Sequence, residues 1–201
     1  MAIPIMVMLV LSLLLTSCTL SPGQKAPSQA STLPQLSGLA WLDGDRFLAV
    51  HDAKNPEEND LPRVSVLRLP TGLDGILWEP MEVSFPGEKS DDFESVARIP
   101  GSRQVLLVES TEEQEEKPWA RRLFLATPRL AAVDIDDVIE WPVETRNTEG
   151  TAVAKAGDQL LFIYAERAEG ESSTEIHFAE LQLKPLGLGA SKSAGMFPSP
   201  E

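Results

Sequence analysis

The sequence predicts an all-β protein of the β-propeller type, with about three four-stranded blades in an incomplete ring. Three stretches share one pattern, a short strand, a Gly-containing turn and a second strand: Leu36–Lys54, Phe93–Glu112 and Thr148–Arg167. With Gly38, Ser95 and Gly150 placed in register, the repeats are spaced by 57 and 55 residues. Repetition at about 50 residues in segments rich in β-branched residues is typical of propeller blades rather than of helical solenoids.

This register also places similar residues at equivalent positions of the three repeats. The shared positions are Ser37/Glu94/Glu149, Ala40/Ala97/Ala152 and Asp52/Glu109/Tyr164, with Glu166 two residues beyond the last. The openings of the repeats therefore carry acids in the second and third units and a serine in the first.

Each repeat continues with further alternating segments that predict outer strands. These are Arg63–Leu69 and Trp78–Phe85 in the first unit, Arg121–Ala126 and Val138–Val143 in the second, and Thr174–Leu183 and Gly195–Phe197 in the third. In the first two units the fourth strand carries a proline shortly after a tryptophan. Because proline lacks an N–H group for the ladder, we expect these strands to form exposed outer edges.

The units span roughly residues 34–90, 91–146 and 147–198 of a domain that covers residues 34–201. Since a propeller closes with about four to eight blades, three units leave the ring open. A fragment of a longer propeller, two chains that complete one ring by self-association, and an open arc are the alternatives. We favour the fragment, because an open arc leaves the faces of its end blades uncovered.

Residues 1–17 form an uncharged apolar run that ends directly before Cys18, the single cysteine of the chain. The run is too short and too sharply ended to predict a membrane span. Leu15-Thr16-Ser17-Cys18 resembles the lipobox of bacterial lipoproteins, although the usual basic residue of the leader is missing. The resemblance implies cleavage before Cys18 and lipid attachment to its thiol. The alternative is an ordinary secretory signal peptide with an incidental cysteine.

The lipoprotein interpretation predicts an exported protein, anchored by lipid to the cell membrane or outer membrane and facing the periplasm or the exterior. Residues 18–33 are rich in Ser, Pro, Gln and Ala and predict a flexible tether between anchor and domain. The formal net charge is −14. It excludes nucleic acid as a partner, because no basic face is available to replace phosphate counterions, and it permits cations.

Acidic residues are the candidate metal ligands. The innermost strand of a propeller blade begins at the mouth of the central channel, so Glu94 and Glu149 are expected to converge there, with Asp91 and Asp92 just outside. Glu109 belongs to a second acidic set at the ends of the second strands. Hard carboxylate oxygens suit calcium or magnesium. The alternative is that these glutamates accept hydrogen bonds from backbone amides of the next unit.

The openings of the repeats, each followed by a strand that ends near an acid, resemble those of phytase-like esterase propellers and related periplasmic propeller lipoproteins. The resemblance is carried by Ser37–Ala40, Phe93–Ala97 and Thr148–Ala152. It implies an extracytoplasmic propeller that depends on calcium and acts on phosphate esters. The candidates for positioning or activating water are His51 and Asp52. A non-catalytic ligand-binding or scaffolding propeller, or a truncated inactive fragment, is the alternative function, and no motif specifies a substrate.

The lipobox generates a prediction about processing. A Cys18→Ser variant lacks the thiol that accepts the lipid, so it is expected to stay as unprocessed precursor and to lose partitioning into the detergent phase. Phase separation in a cloud-point detergent, followed by immunoblotting, measures both properties. Equal partitioning of the two forms would show that Cys18 is incidental.

Overall fold

The structure, a computed structural model, describes residues 35–53, 60–70, 72, 75–90, 92–109, 122–141, 148–166 and 173–197. All regular elements in these ranges are β-strands, which confirms the predicted all-β class. Within the same ranges, no helix is long and apolar enough to cross a membrane. The leader, Cys18, the tether and Asp91 lie outside the described residues.

The described strands run through the chain in three successive groups. They are β1 (Leu36–Asp43), β2 (Arg46–His51), β3 (Val64–Arg68), β4 (Leu77–Ser84), β5 (Phe93–Arg98), β6 (Val105–Glu109), β7 (Arg122–Pro128), β8 (Ala132–Glu140), β9 (Thr148–Ala156), β10 (Gln159–Glu166), β11 (Thr174–Leu183), β12 (Leu186–Leu188) and β13 (Lys192–Phe197). We call β1–β4 unit one, β5–β8 unit two and β9–β13 unit three.

Units one and two are antiparallel meanders that join into one eight-stranded sheet. The sheet order is β1-β2-β3-β4-β8-β7-β6-β5, and the two units meet where Glu82–Ser84 of β4 pairs in parallel with Ala132–Asp134 of β8. At the other end of this order, β1 packs beside β5, and the Ser37 hydroxyl donates a hydrogen bond to the Phe93 carbonyl. The eight-stranded sheet is therefore nearly closed.

The parallel pairing corrects the prediction that both fourth strands are exposed edges. Pro80 does lie inside β4, opposite Ser65, but the strand continues past the proline to residues that keep their N–H groups. Those residues pair with β8. The second fourth strand also begins earlier than predicted, at Ala132, and ends before Trp141, so its pairing segment lies well upstream of the Trp-Pro motif.

Unit three forms a separate five-stranded sheet. β9, β10 and β11 are antiparallel neighbours, and the position beyond β11 is shared by two short strands. β12 pairs with Leu181–Leu183, and β13 pairs with Thr174–Phe178. The final strand is thus longer than predicted and has a companion that the sequence did not indicate.

A register shift recurs at the same place in each innermost strand. Ser37, Glu94 and Glu149 are each left out of the pairing between the first and second strand of their unit. A bulge of this kind bends the strand and redirects a side chain. The sequence alignment of these three residues is therefore matched by equivalent backbone geometry.

The alignment of the second strands needs correction. The residues paired next to the shift are His51, Glu109 and Glu166, in place of Asp52, Glu109 and Tyr164. The reason is that the connecting hairpins differ in length, as shown by the pairs Ala40–Leu48, Ala97–Leu106 and Ala152–Ile163. An alignment without gaps drifts out of register after such a turn.

Two hydrophobic cores separate the three units, and unit two contributes to both. Val105 and Leu107 of β6 pack towards unit one, whereas Leu106 and Val108 pack towards unit three. All four side chains are fully buried. Because successive side chains of a strand point to opposite faces, an uninterrupted apolar run is what a sheet covered on both sides requires.

The packing of β1 on β5 generates a prediction about two equivalent glycines. A Cβ at Gly38 would lie 3.0 Å from the Cα of Ser95 and from the backbone N of Val96, whereas a Cβ at Gly150 meets nothing within 4 Å. Gly38→Ala is therefore expected to lower the free energy of unfolding by about 1–3 kcal/mol. Gly150→Ala is expected to leave it unchanged or to raise it by up to about 1 kcal/mol.

Urea unfolding followed by tryptophan fluorescence measures both variants. Equal effects at the two positions would show that the close approach at Gly38 does not constrain the packing of β1 on β5.

Candidate functional site

Three carboxylates meet at the junction between units one and two. Asp52, Asp92 and Glu94 each place a carboxylate oxygen within 4.8 Å of the others. Asp52 follows β2, whereas Asp92 precedes β5, and an isolated antiparallel bridge pairs these two residues directly. We call the three residues the acidic triad, and its ligands come from both units.

The backbone explains why Glu94 belongs to this group. It occupies the bulge position of β5, between the paired residues Phe93 and Ser95. A bulge aims a side chain away from the regular alternation of the strand. Asp52 is held from the other side, because its N–H donates to the Gln35 carbonyl at 3.1 Å.

The triad is largely removed from water. Asp92 is fully buried, Glu94 retains 9% of its exposure and Asp52 is partly exposed. Ionised carboxylates about 5 Å apart repel each other by about 3 kcal/mol per pair at an effective dielectric constant of about 20. Positive charge, from a bound cation or from a basic side chain, would relieve this repulsion. Asp52 gives the site its opening to solvent.

A buried arginine braces the segment that leads into the triad. Arg63 donates from Nε to the Ser90 carbonyl at 2.8 Å and from Nη1 to the Leu61 carbonyl at 3.1 Å. Burial lowers the pKa of Lys89, and the positive charge of Arg63 lowers it further. Lys89, on the segment before Asp92, is thus close enough to Arg63 for the two positive charges to repel each other.

The other predicted metal ligands lie elsewhere. Glu109 is 1% exposed and forms a two-pronged ion pair with Arg122, with Nε–Oε2 and Nη2–Oε1 distances of 2.5 and 2.6 Å. Glu149 occupies the equivalent bulge of β9, and its side chain is exposed. Among the described residues, the group that brings three potential metal ligands together contains Glu94 but neither Glu109 nor Glu149.

His51 and Asp52 are neighbours in sequence but face different surroundings. The His51 ring is fully buried, and its Nε2 lies 2.7 Å from the Ser65 hydroxyl oxygen on the adjacent strand. Asp52 belongs to the triad and is partly exposed. Of the two candidates for water activation, Asp52 is thus the one that reaches the solvent side of the site.

Asp92 is the site residue whose role the sequence did not reveal. It was expected just outside a group formed by Glu94 and Glu149. The signal was the run Ser90-Asp91-Asp92 directly before a strand opening, but its partner Asp52 is separated from it by a whole meander. Only the bridge between the two units makes the pair visible.

No protein-family model, no curated protein and no solved structure matches this chain. The resemblance to phytase-like esterases therefore rests on the sequence motifs alone.

The Glu109–Arg122 pair generates a prediction about stability. Arg122→Met removes both charged hydrogen bonds to Glu109, and with them the hydrogen bond from Nη1 to the Glu88 carbonyl. It leaves a buried carboxylate without this partner, so the free energy of unfolding is expected to fall by about 3–5 kcal/mol. The double variant Glu109→Leu/Arg122→Met removes the stranded charge as well, and most of the loss is expected to be recovered. Urea unfolding of the single and double variants measures this difference.

A double variant no more stable than Arg122→Met would contradict the account. The cation–π contact of Arg122 with the Phe124 ring, whose centre lies 5.0 Å from the guanidinium carbon, would then be the dominant interaction.

Proposed function

We propose that this chain is a lipid-anchored, extracytoplasmic domain of the propeller type that binds a divalent cation at the acidic triad and serves as a binding or scaffolding module. The observation that carries the proposal is the convergence of Asp52, Asp92 and Glu94 within 4.8 Å at a unit boundary. The cation then acts as a clasp between units one and two, because both units supply ligands.

The stacking of the units supports the propeller part of the proposal. β1, β5 and β9 are the first strands of their units, and they pack side by side in that order. The Thr151 N–H donates to the Ser95 hydroxyl oxygen at 3.1 Å, and the two hydroxyl oxygens lie 2.8 Å apart. First strands of successive units that pack side by side are what neighbouring propeller blades would give. In this proposal the three units are three blades, and the parallel pairing of β4 with β8 joins the first two at their outer strands.

Calcium fits the chemistry of the triad. Calcium takes six to eight oxygen ligands from carboxylates, carbonyls and water in a flexible geometry, whereas magnesium demands a near-ideal octahedron. The triad supplies carboxylate oxygens alone, and the partly exposed Asp52 leaves one side for water. A hard, oxygen-binding cation is therefore the expected ligand, with calcium the first candidate.

Calcium-dependent hydrolysis of a phosphate ester is the second candidate function, and the position of Asp52 favours it. A cation that keeps a water ligand on its solvent side can polarise a phosphoryl oxygen and position that water. Hydrolysis also needs a base within reach of the water. His51 is buried against Ser65, so Asp52 would have to take this role.

The proposal predicts that stabilisation by calcium depends on the bulge residue Glu94 and not on the equivalent residue Glu149. Calcium at a hundredfold excess over its dissociation constant is expected to stabilise the folded chain by about 2.7 kcal/mol. Glu94→Gln preserves shape, removes one ligand charge and is expected to abolish most of this gain. Glu149→Gln makes the same change at the equivalent exposed position and is expected to retain it. Thermal unfolding with calcium and with a chelator measures the gain.

If neither calcium nor magnesium changes the melting temperature of the wild type, the cation site is refuted. The charge of the triad would then be compensated by neighbouring basic side chains. An assay with p-nitrophenyl phosphate on the same proteins separates the two functions. Calcium-dependent turnover that Glu94→Gln loses and Glu149→Gln keeps would favour the hydrolase, whereas stabilisation without turnover would favour the binding module.

A further inference from the structure

We propose that a second copy of this chain docks head to tail on unit three, through the outer face of its unit one. The inference starts from five positions that units one and two share. They are Ala40, Leu48, Val50, Val64 and Val66 in unit one, and Ala97, Leu106, Val108, Leu123 and Leu125 in unit two. The equivalence follows from strand pairing, since each set is built from the same cross-strand partners.

These positions form the face that each unit presents to the next one along the chain. In unit one they lie in the core shared with unit two, and in unit two the larger four lie in the core shared with unit three. All ten side chains are at most 5% exposed. In units one and two, these positions thus form the contact with the following unit.

Unit three carries the same face, and none of the described strands covers it as units two and three cover the other two. The paired positions hold Ala152, Ile163, Ala165, Ile176 and Phe178, which we call the trailing face. Ala152 is exposed and the other four are partly exposed. A sheet face turned to water normally alternates to polar residues, and a contiguous apolar face marks an interaction surface. The trailing face keeps its apolar character.

Unit one offers the matching surface, which we call the leading face. Units two and three receive the preceding unit through positions that correspond to Leu39, Trp41 and Phe47 in unit one. Leu39 is 49% exposed and Phe47 is partly exposed. Trp41 is 52% exposed, although the Arg98 guanidinium of unit two lies 4.8 Å from the centre of its ring. Ala49, further along β2 on this face, is already buried, so the accessible part lies towards the hairpin end.

The occupant follows from the repetition. Within the chain, unit one packs on unit two and unit two packs on unit three through the same pair of faces, trailing on leading. A leading face is therefore the expected partner of the trailing face of unit three. A second copy supplies one. The contact is heterologous, because two different faces meet. In a ring of two copies, the trailing face of each copy packs on the leading face of the other. Such a ring contains six units, and propellers close with four to eight blades. The count of two rests on the proposed propeller architecture, whereas the head-to-tail contact rests on the register alone.

Charge modulates this association. Each copy carries a formal charge of −14, so two copies repel at long range. Salt screens this repulsion, with a Debye length of about 8 Å at physiological ionic strength. The dimer is therefore expected to tighten as salt increases, which is the opposite of a contact held by ion pairs.

Native mass spectrometry of the full chain released from detergent micelles tests the proposal. The wild type is expected to be dimeric at tens of micromolar, and Leu39→Asp and Phe178→Asp are each expected to be monomeric. Leu130→Asp is the matched control, because Leu130 is 84% exposed in the turn before β8 and belongs to neither face. It is expected to remain dimeric.

Mixing the two monomeric variants is the decisive step. A dimer of one Leu39→Asp copy and one Phe178→Asp copy retains one of the two contacts, so a heterodimer is expected where neither variant pairs with itself. A bismaleimide is likewise expected to join a Leu39→Cys copy to a Phe178→Cys copy, and this test keeps both positions uncharged. A monomeric wild type, a Leu39→Asp protein that still dimerises, or the absence of both the heterodimer and the cross-link would overturn the head-to-tail contact. Loss of calcium stabilisation without loss of dimerisation would count against the cation site alone.

Discussion

The packing of unit two on both of its neighbours is the constraint on which the rest of the structure depends. Its second strand has no polar face, because Val105 and Leu107 are buried on one side and Leu106 and Val108 on the other. Such a sheet is unstable in water unless both faces are covered. The acidic triad, the close approach at Gly38 and the aligned first strands all exist because units one and three are held against this central sheet.

Polar contacts then fix how the units are turned relative to one another, which apolar packing alone does not specify. Arg98 of unit two donates to the Leu42 carbonyl of unit one at 2.8 Å, and its guanidinium lies 4.8 Å from the centre of the Trp41 ring. Ser95 of the same strand bonds to Thr151 on the other side. One strand, β5, thus carries directional contacts to both neighbours, and it also carries Glu94.

Much of this architecture was predictable from the sequence, because strands and their faces follow from a period of two. β11 has the bounds that the alternation predicts, and the residues Ser37, Glu94 and Glu149 occupy equivalent bulges. The parallel pairing of β4 with β8 was not predictable, because it joins segments that no turn connects. The site was half predictable. Glu94 and Asp52 stood out as acids at strand ends, but only the folded chain brings Asp92 close to both.

The connecting hairpins give the stack two unequal ends. At the end that carries the bulges, the backbone has the same register shift in all three units. The bulge residue therefore occupies an equivalent position in each unit. At the opposite end the turns between the first and second strands vary in length, and in unit one the pairing is shifted beside the turn, between Trp41 and Asp43. At the bulge end a single substitution therefore changes the chemistry without changing the backbone. Ser37 donates a hydrogen bond there in unit one, whereas Glu94 supplies a carboxylate at the equivalent bulge of unit two. The end that carries the turns between the first and second strands tolerates differences in loop length. Loops for recognition, or for engineered fusions, are therefore best inserted at that end.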